Sequence, residues 1–339
     1  MRIRQLTLPL PGSALPPVPK RAHSGQAPSQ SAGWVSAQFQ RTDDGAGGRL
    51  QTLRRGVKFW LRCWWSARAL EMSTTAFRDS ALDSIVETQP ELALRPLRSY
   101  LRRGLGSVRR AQALREHFEW LSQRLPMATI SRLYAGASIP LLGTGFAAIP
   151  GLGVSLSTAS GLGREGELAL HLEWHGRRAM SLAFSVLDAA SVISDADPAH
   201  GHGPRAVIGT LQGTRGGDAA LRELSAAAQR LRPSALLVLA AQALSSAWGL
   251  GAPLGVAAES HVYAGYASRR RKVALDYDAA WRDAGALRNS RHYWSLPAAP
   301  VLRPDAVVES RRRAQHRRRN TLREALLAGV RAGSAALIG

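Results

Sequence analysis

In ELALHLEWHGRRAMSLAFSV the apolar positions alternate with the rest. Leu168, Leu170, Leu172 and Trp174 interleave with Glu167, Ala169, His171 and Glu173, and then Met180, Leu182, Phe184 and Val186 interleave with small residues. Side chains of an extended chain switch faces at every residue, so the stretch predicts two half-buried strands joined as a hairpin around HGR. RAVIGTLQG predicts a further strand after the loop DADPAHGHGP, and PLGVAAES predicts another. Upstream the period is helical. From LQTLRRGVKFWLRCWWSARAL to SVRRAQALREHFEWLSQRL the apolar residues recur at helical spacing, with Leu114, Phe118 and Leu121 on one face, and this region ends near Pro126. Between RAVIGTLQG and PLGVAAES, the turn GTRGGD leads into a helix capped by Asp218, and RPSALLVLAAQALSSAWGL gives a second helix. ESRRRAQHRRRNTLREALLAGVRAG reads as a last helix starting near Glu309, basic at first and apolar later. Residues 1–50 carry Pro, Gly, Ser and Gln without apolar periodicity and are expected to be a disordered leader. The expected class is α+β: a helical region (51–126), a core of mainly antiparallel sheet with packed helices (127–303) and a basic C-terminal helix (304–339).

Composition adds a partner and a compartment. With 339 residues and 45% hydrophobic content the chain can bury a full-sized core. Its formal charge of +21 predicts an anionic partner: a membrane surface, a lipid or a nucleic acid. Much of that charge is arginine, which GC-rich coding also favours. Cys63 is the one cysteine, so there is no intrachain disulfide and no cysteine-based zinc site. The apolar run of MRIRQLTLPLPGSALPPVPKR is short and broken by prolines, unlike a secretory signal. Residues 233–258 are long enough to span a bilayer, but Gln242, two serines and GLGAP divide them into a helix and a strand of ordinary length. The expectation is a cytoplasmic protein, peripheral at the inner membrane if lipid is the partner, with no integral span.

HVYAGYASRRRKVALDYDAAW, residues 261–281, concentrates polar and aromatic side chains in a chain otherwise rich in alanine and leucine. On a functional reading, His261 and Tyr263 leave the end of a buried strand as catalytic candidates, with His261 as base because imidazole titrates near neutrality. Arg269 to Lys272 then offer an anion site in which Arg271 and Lys272 would hold a cofactor, and Asp276 and Asp278 are further catalytic candidates. On a packing reading, Asp276 or Asp278 caps a helix, Tyr277 and Trp281 share a face, and His261 is a core histidine with its hydrogen bonds met. The turn after RAVIGTLQG is the second cofactor candidate. Gln212, Gly213, Arg215, Gly216 and Gly217 precede a helix whose first N–H groups could meet phosphate, and a tight connection is the plainer explanation. HGH at 200–202 lacks companions at metal-ligand spacing, and no metal is expected. Glu165 and Glu167 are either an acid/base pair or a solvated strand face. The arginine-rich tail would bind nucleic acid nonspecifically, since no reading motif accompanies it.

GREGELALHLEWHGRRAMSLAFSV, RAVIGTLQG, RLRPSALLVLAAQAL, ESHVYAGYASRRRKVALDYDAAW and YWSLP occur in an order that resembles the VirK/YbjX family of Gram-negative bacteria, over roughly residues 90 to 325. The helical lead-in and the basic tail are similar too. Two positions depart from the family pattern: Ala280 stands where an aromatic is more usual, and DAGAL keeps one of two usual glycines. The resemblance implies an accessory protein supporting envelope integrity, virulence and resistance to cationic antimicrobial peptides, with no assigned reaction. A second likeness leaves an alternative open. The strand, glycine turn and helix, followed by PLGVAAESHVY, resemble the acyl-CoA-dependent N-acyltransferase fold, which implies an enzyme that modifies an envelope component or protein with acyl-CoA as cofactor. QGTRGG does not reproduce that fold's usual glycine spacing.

Overall fold

The computed structural model describes residues 49–338, apart from 78–81, 83–84, 87–88, 93, 189, 191–202, 266–274, 301–303 and 305–307. The expected leader therefore lies outside the described residues but for its last two. The chain divides into two compact units, residues 1–67 and 68–339. Of the first, the described part is essentially one helix, α1 (Arg49–Trp65).

Helix α2 (Ala67–Phe77) lies in the second unit but for its first residue, and is followed by short 3₁₀ turns at Pro90–Leu92 and Arg95–Leu97, α3 (Ser107–Arg124) and α4 (Met127–Tyr134). Strands β1 (Ile139–Leu142), β2 (Leu152–Thr158), β3 (Leu168–Trp174), β4 (Arg177–Asp188) and β5 (Pro204–Gly213) follow, then α5 (Asp218–Ala227), α6 (Pro233–Ala247) and β6 (Gly251–Val256). The last elements are α7 (Tyr277–Asp283), β7 (Leu287–Arg288), β8 (Tyr293–Ser295) and α8 (Ser310–Ala335). The class is α+β, as the sequence predicts. The eight strands form one sheet in the order β1-β2-β3-β4-β5-β6-β8-β7. Every neighbouring pair is antiparallel except β5 and β6, whose connection is the crossover through α5 and α6.

The hairpin turns where the alternation breaks. His175 and Gly176 both take positive φ, 50° and 73°, as a two-residue turn with the twist of its strands requires. The strands are not half-buried, however. Along β3 and most of β4 both alternating sets are covered, so Ala169, Ala183 and Ser185 are as buried as Leu170 and Leu182. The small residues that looked solvent-facing lie beneath other elements, where a larger side chain would not fit. One consequence is a buried polar ladder: His171 hydrogen-bonds Ser157 at 2.7 Å and Ser181 at 2.8 Å, linking β2, β3 and β4.

Helix α6 is apolar on every side, and residues 236–245 are all buried. It packs on β3 to β6, while α8 crosses it and reaches β1. Each fully buried leucine there contributes roughly 1.5–3 kcal/mol. Leu322, Leu326 and Val330 give α8 an apolar stripe, and Ser334 O accepts from Trp248 Nε1 at 3.1 Å. Leu114, Phe118 and Leu121 of α3 are buried as the spacing implies. Asp218 is not the cap of α5: Gly217 holds that place and Asp218 is the first helical residue, where its charge still favours the N-terminus.

Burial holds His117 down to about 3 and both His171 and His261 down to about 4, against 6.5 for a free histidine. The unfolded chain therefore binds protons first as pH falls, and stability falls with it. Each histidine is expected to remove about 2 kcal/mol by pH 5. Thermal unfolding should show a steep drop below about pH 6.5, lessened in His171→Gln; a midpoint unchanged between pH 7.5 and 5 contradicts this.

Candidate functional site

The one parallel pairing in the sheet is short. β5 and β6 run together to Ile208 opposite Gly255, and then β5 continues to Gly213 while the other chain leaves through a 3₁₀ turn, Ala258–Ser260, to His261. The two strands part at their carboxyl ends, where open sheets place their ligands.

Helix α7 stands at this opening, fixed by capping and by packing. Asp276 accepts the Ala279 N–H at 3.0 Å and caps the helix. Asp278 Oδ1 accepts the Ala258 N–H at 3.0 Å and the Trp294 Nε1–H at 2.8 Å, with Arg288 3.6 Å away. Both aspartates therefore hold elements in place. Trp281 is fully buried with its ring on Gly255, where an added Cβ would lie 2.6 Å from the indole, and its Nε1–H donates to Val256 O at 2.9 Å. One turn earlier, the Tyr277 hydroxyl shares a 2.9 Å hydrogen bond with Thr210 Oγ1 on β5 and bonds the Leu211 backbone. Burial pushes this hydroxyl up to about 12, against the pull of the Thr210 bond.

His261 stacks on Tyr277 with ring centres 5.0 Å apart and planes at 20°. It is buried, and burial keeps it neutral. Its Nδ1 accepts the Tyr263 N–H at 3.3 Å, which puts the ring proton on Nε2. Nε2 has no hydrogen-bond partner among the described residues. In this tautomer Nε2 carries a donor hydrogen. Tyr263 lies beside it, 5.7 Å between ring centres, under the Arg164 guanidinium at 5.9 Å.

The glutamates are buried, at 3% exposure for Glu165 and 1% for Glu167, so the solvated strand face is excluded. The segment carrying them crosses the sheet, and Gly209 makes room for it: a Cβ there would be 1.9 Å from Glu165 O. Gly209 is the extra residue of a bulge between Ile208 and Thr210, which oppose the adjacent Phe184 and Ala183. Glu165 acts electrostatically on the Tyr277 hydroxyl. Glu167 instead binds Arg95; burial raises its carboxyl and Arg95 draws it back. Tyr100 and Tyr134 share that environment, the first on Ser185 Oγ at 2.7 Å. Arg95 and Tyr134 also line an open pocket of about 440 Å³ with Gln89, Thr158, Ser160 and Gly163.

The second candidate cluster follows β5 directly. Gln212, Gly213, Arg215 and Gly216 are exposed, Gly216 has φ 73°, and the Gly217 N–H closes a turn on Thr214 O at 2.9 Å before α5 begins. This turn and the Tyr277 hydroxyl lie at two points along one strand end. Arg271 and Lys272 lie outside the described residues, as does HGH at 200–202; among the described residues no three metal-ligating side chains meet.

A family model described as a protein of unknown function (DUF535) matches residues 48–332. The chain belongs to this family, VirK/YbjX. The uncharacterized protein YbjX of Escherichia coli (strain K12) is 27% identical over 123 residues, which is 35% of this chain and 37% of that protein. The chain thus spans little more than a third of that relative's length. No solved structure matches it.

Within the DUF535 sequence the aromatic pair of α7 can be tested directly. Trp281→Ala should destabilise by about 3–5 kcal/mol through the lost ring. Trp281→Phe should keep most of the packing and cost about 1–3 kcal/mol for the Val256 carbonyl left without its donor. Urea unfolding reads both, and a Trp281→Phe chain as stable as the parent shows the carbonyl finding another partner.

Proposed function

We propose that the chain is an acyl-CoA-dependent acyltransferase that modifies an amine on an envelope component or protein, working where β5 and β6 part. The observation that carries this reading is that parting. Beyond Ile208 the strand β5 has lost β6; Tyr277 covers it at Thr210 and Leu211, and its exposed end at Gln212 and Gly213 is where an extended chain bearing amides can pair. The pantetheine arm of acyl-CoA is such a chain. The exposed turn Gln212–Gly217 at the head of α5 suits its pyrophosphate, with Arg215 supplying charge. Bound there, acyl-CoA supplies the acyl group as a thioester.

Three residues of this chain would divide the proton transfers. Glu165 takes the proton of the attacking amine. Tyr277, neutral because burial holds its hydroxyl near 12, gives a proton to the departing sulfur. His261, neutral with its proton on Nε2, donates to the oxyanion. Asp276 and Asp278 keep α7 in place.

Thermal unfolding of the full chain with acetyl- and long-chain acyl-CoA is the first test. Saturating ligand should raise the midpoint by about 5 °C, and a charge reversal at Arg215 should reduce the rise. Tyr277→Phe should keep the rise and lower transfer to amines about a hundredfold or more. No rise with any acyl chain length overturns the reading.

A second reading rests on α8. Its first three turns present Arg311, Arg312, Arg313, Arg317 and Arg318 to solvent, which favours the envelope-supporting role through an anionic partner that the VirK/YbjX resemblance implies. Deleting the gene is then expected to sensitise cells to cationic antimicrobial peptides. Unchanged sensitivity with a normal envelope counts against it.

A further inference from the structure

The first unit contributes a helix with an unusual surface. RLQTLRRGVKFWLRCWW, the whole of α1, holds Arg49, Arg54, Arg55, Lys58 and Arg62 and no acidic residue. Leu53, Val57, Leu61 and Trp64 recur at helical spacing, and Trp65 follows Leu61 by one turn. Leu61, Trp64 and Trp65 are 47%, 59% and 76% exposed. The other large apolar side chains exposed among the described residues, Val108 and Leu287, are not neighbours in sequence, whereas these three share one turn. Lys58 and Arg62 are exposed beside them. Lys58, Leu61, Arg62 and Trp65 stand at i, i+3, i+4 and i+7, so cations and apolar groups flank each other on one side of the helix.

We propose that α1 is an interfacial helix that docks the chain on an anionic phospholipid bilayer. The indole ring combines an apolar body with one N–H donor and is enriched at the headgroup level of a membrane. Leu61 would enter the acyl boundary while the flanking cations meet lipid phosphates. Each Lys or Arg near an anionic leaflet strengthens binding about fivefold, so Lys58 and Arg62 act together with the tryptophans. The helix lies on the surface and does not cross it: 17 residues rise only about 26 Å, and five charges would have to enter the hydrocarbon. No helix among the described residues is long and apolar enough to span. A second copy of α1 would set five cations against five. A nucleic-acid backbone would satisfy the cations and leave Leu61 in water. The lipid interface accommodates both sets at once, and the inference stands independently of the chemistry at Tyr277.

Co-sedimentation of the full chain with vesicles tests it. Binding is expected with vesicles of phosphatidylcholine and phosphatidylglycerol, and little with phosphatidylcholine alone. Lys58→Glu with Arg62→Glu should lower the partition constant on the order of 30-fold or more. Trp64→Ser with Trp65→Ser should lower it at least about tenfold, with thermal unfolding unchanged because both rings are exposed. Absence of binding to the anionic vesicles overturns the proposal, as does equal binding by both double variants. So does light scattering that shows a dimer lost in the tryptophan variant, which would make a second copy the occupant, or capture by RNA in place of vesicles.

Discussion

The Trp281 indole on Gly255 is the contact on which the rest of the site depends. Along β6, the Pro253 carbonyl and the Ala257 N–H bond toward the β8 side, to Leu296 and His292. Alternation then turns the Val256 carbonyl toward β5, which has already moved away. A buried carbonyl without a donor costs about 1–3 kcal/mol, and the Trp281 N–H removes that cost. Four residues earlier on the same helix, the Tyr277 hydroxyl meets Thr210 and the Leu211 backbone on the other lip. A single turn of α7 therefore supports both edges of the parting strands. The parting is stable because its polar backbone is answered by side chains, which is what an opening in a sheet requires.

Much of this was legible in the sequence, for identifiable reasons. The β3–β4 hairpin, β5, β6, α6 and the start of α8 all follow from period, length and punctuation. Spacing offers Asp276 or Asp278 as the α7 cap and puts Tyr277 and Trp281 on one face; the structure selects Asp276. Strand β1 did not emerge because glycines and prolines in GASIPLLGTGFAAIPGLG mask a four-residue strand, and β2 begins only in the last two residues of that stretch. Strands β7 and β8, of two and three residues, are too short to show any period. The helix α4 lies immediately after Pro126, which reads equally as an end or as the start of a new helix. Thr210 could not have been selected from RAVIGTLQG, since its role depends on where β6 stops.

The misjudged burial of β3 and β4 has the same origin. Small residues alternating with large ones signal a solvated face in a two-layer protein and a tightly covered face in a more enclosed sheet. Ala169, Ala183 and Ser185 belong to the second kind. Only the elements that pack above them, remote in sequence, distinguish the two. His171 shows the cost of that cover: two serines satisfy its nitrogens, and burial still holds it near 4.

Glu165 and Glu167 show how far a sequence can be read at a site. Two carboxylates with one residue between them look equivalent, yet their surroundings differ in kind. Arg95 neutralises Glu167 amid Tyr100 and Tyr134, so that carboxylate is committed to joining the 3₁₀ turn at Arg95–Leu97 to the sheet. Glu165 lies where its segment crosses Gly209, and the hydroxyl it acts upon is Tyr277 at the strand opening. With Glu167 fully buried, the pair adds little net stability against apolar packing, but losing Arg95 would strand a buried charge. Arg95 and Glu167 therefore act as a fixed point from which the crossing segment is hung. The same anchoring sets the position of Glu165, and the proton-accepting role proposed for it depends on that position being held as much as on the carboxylate itself.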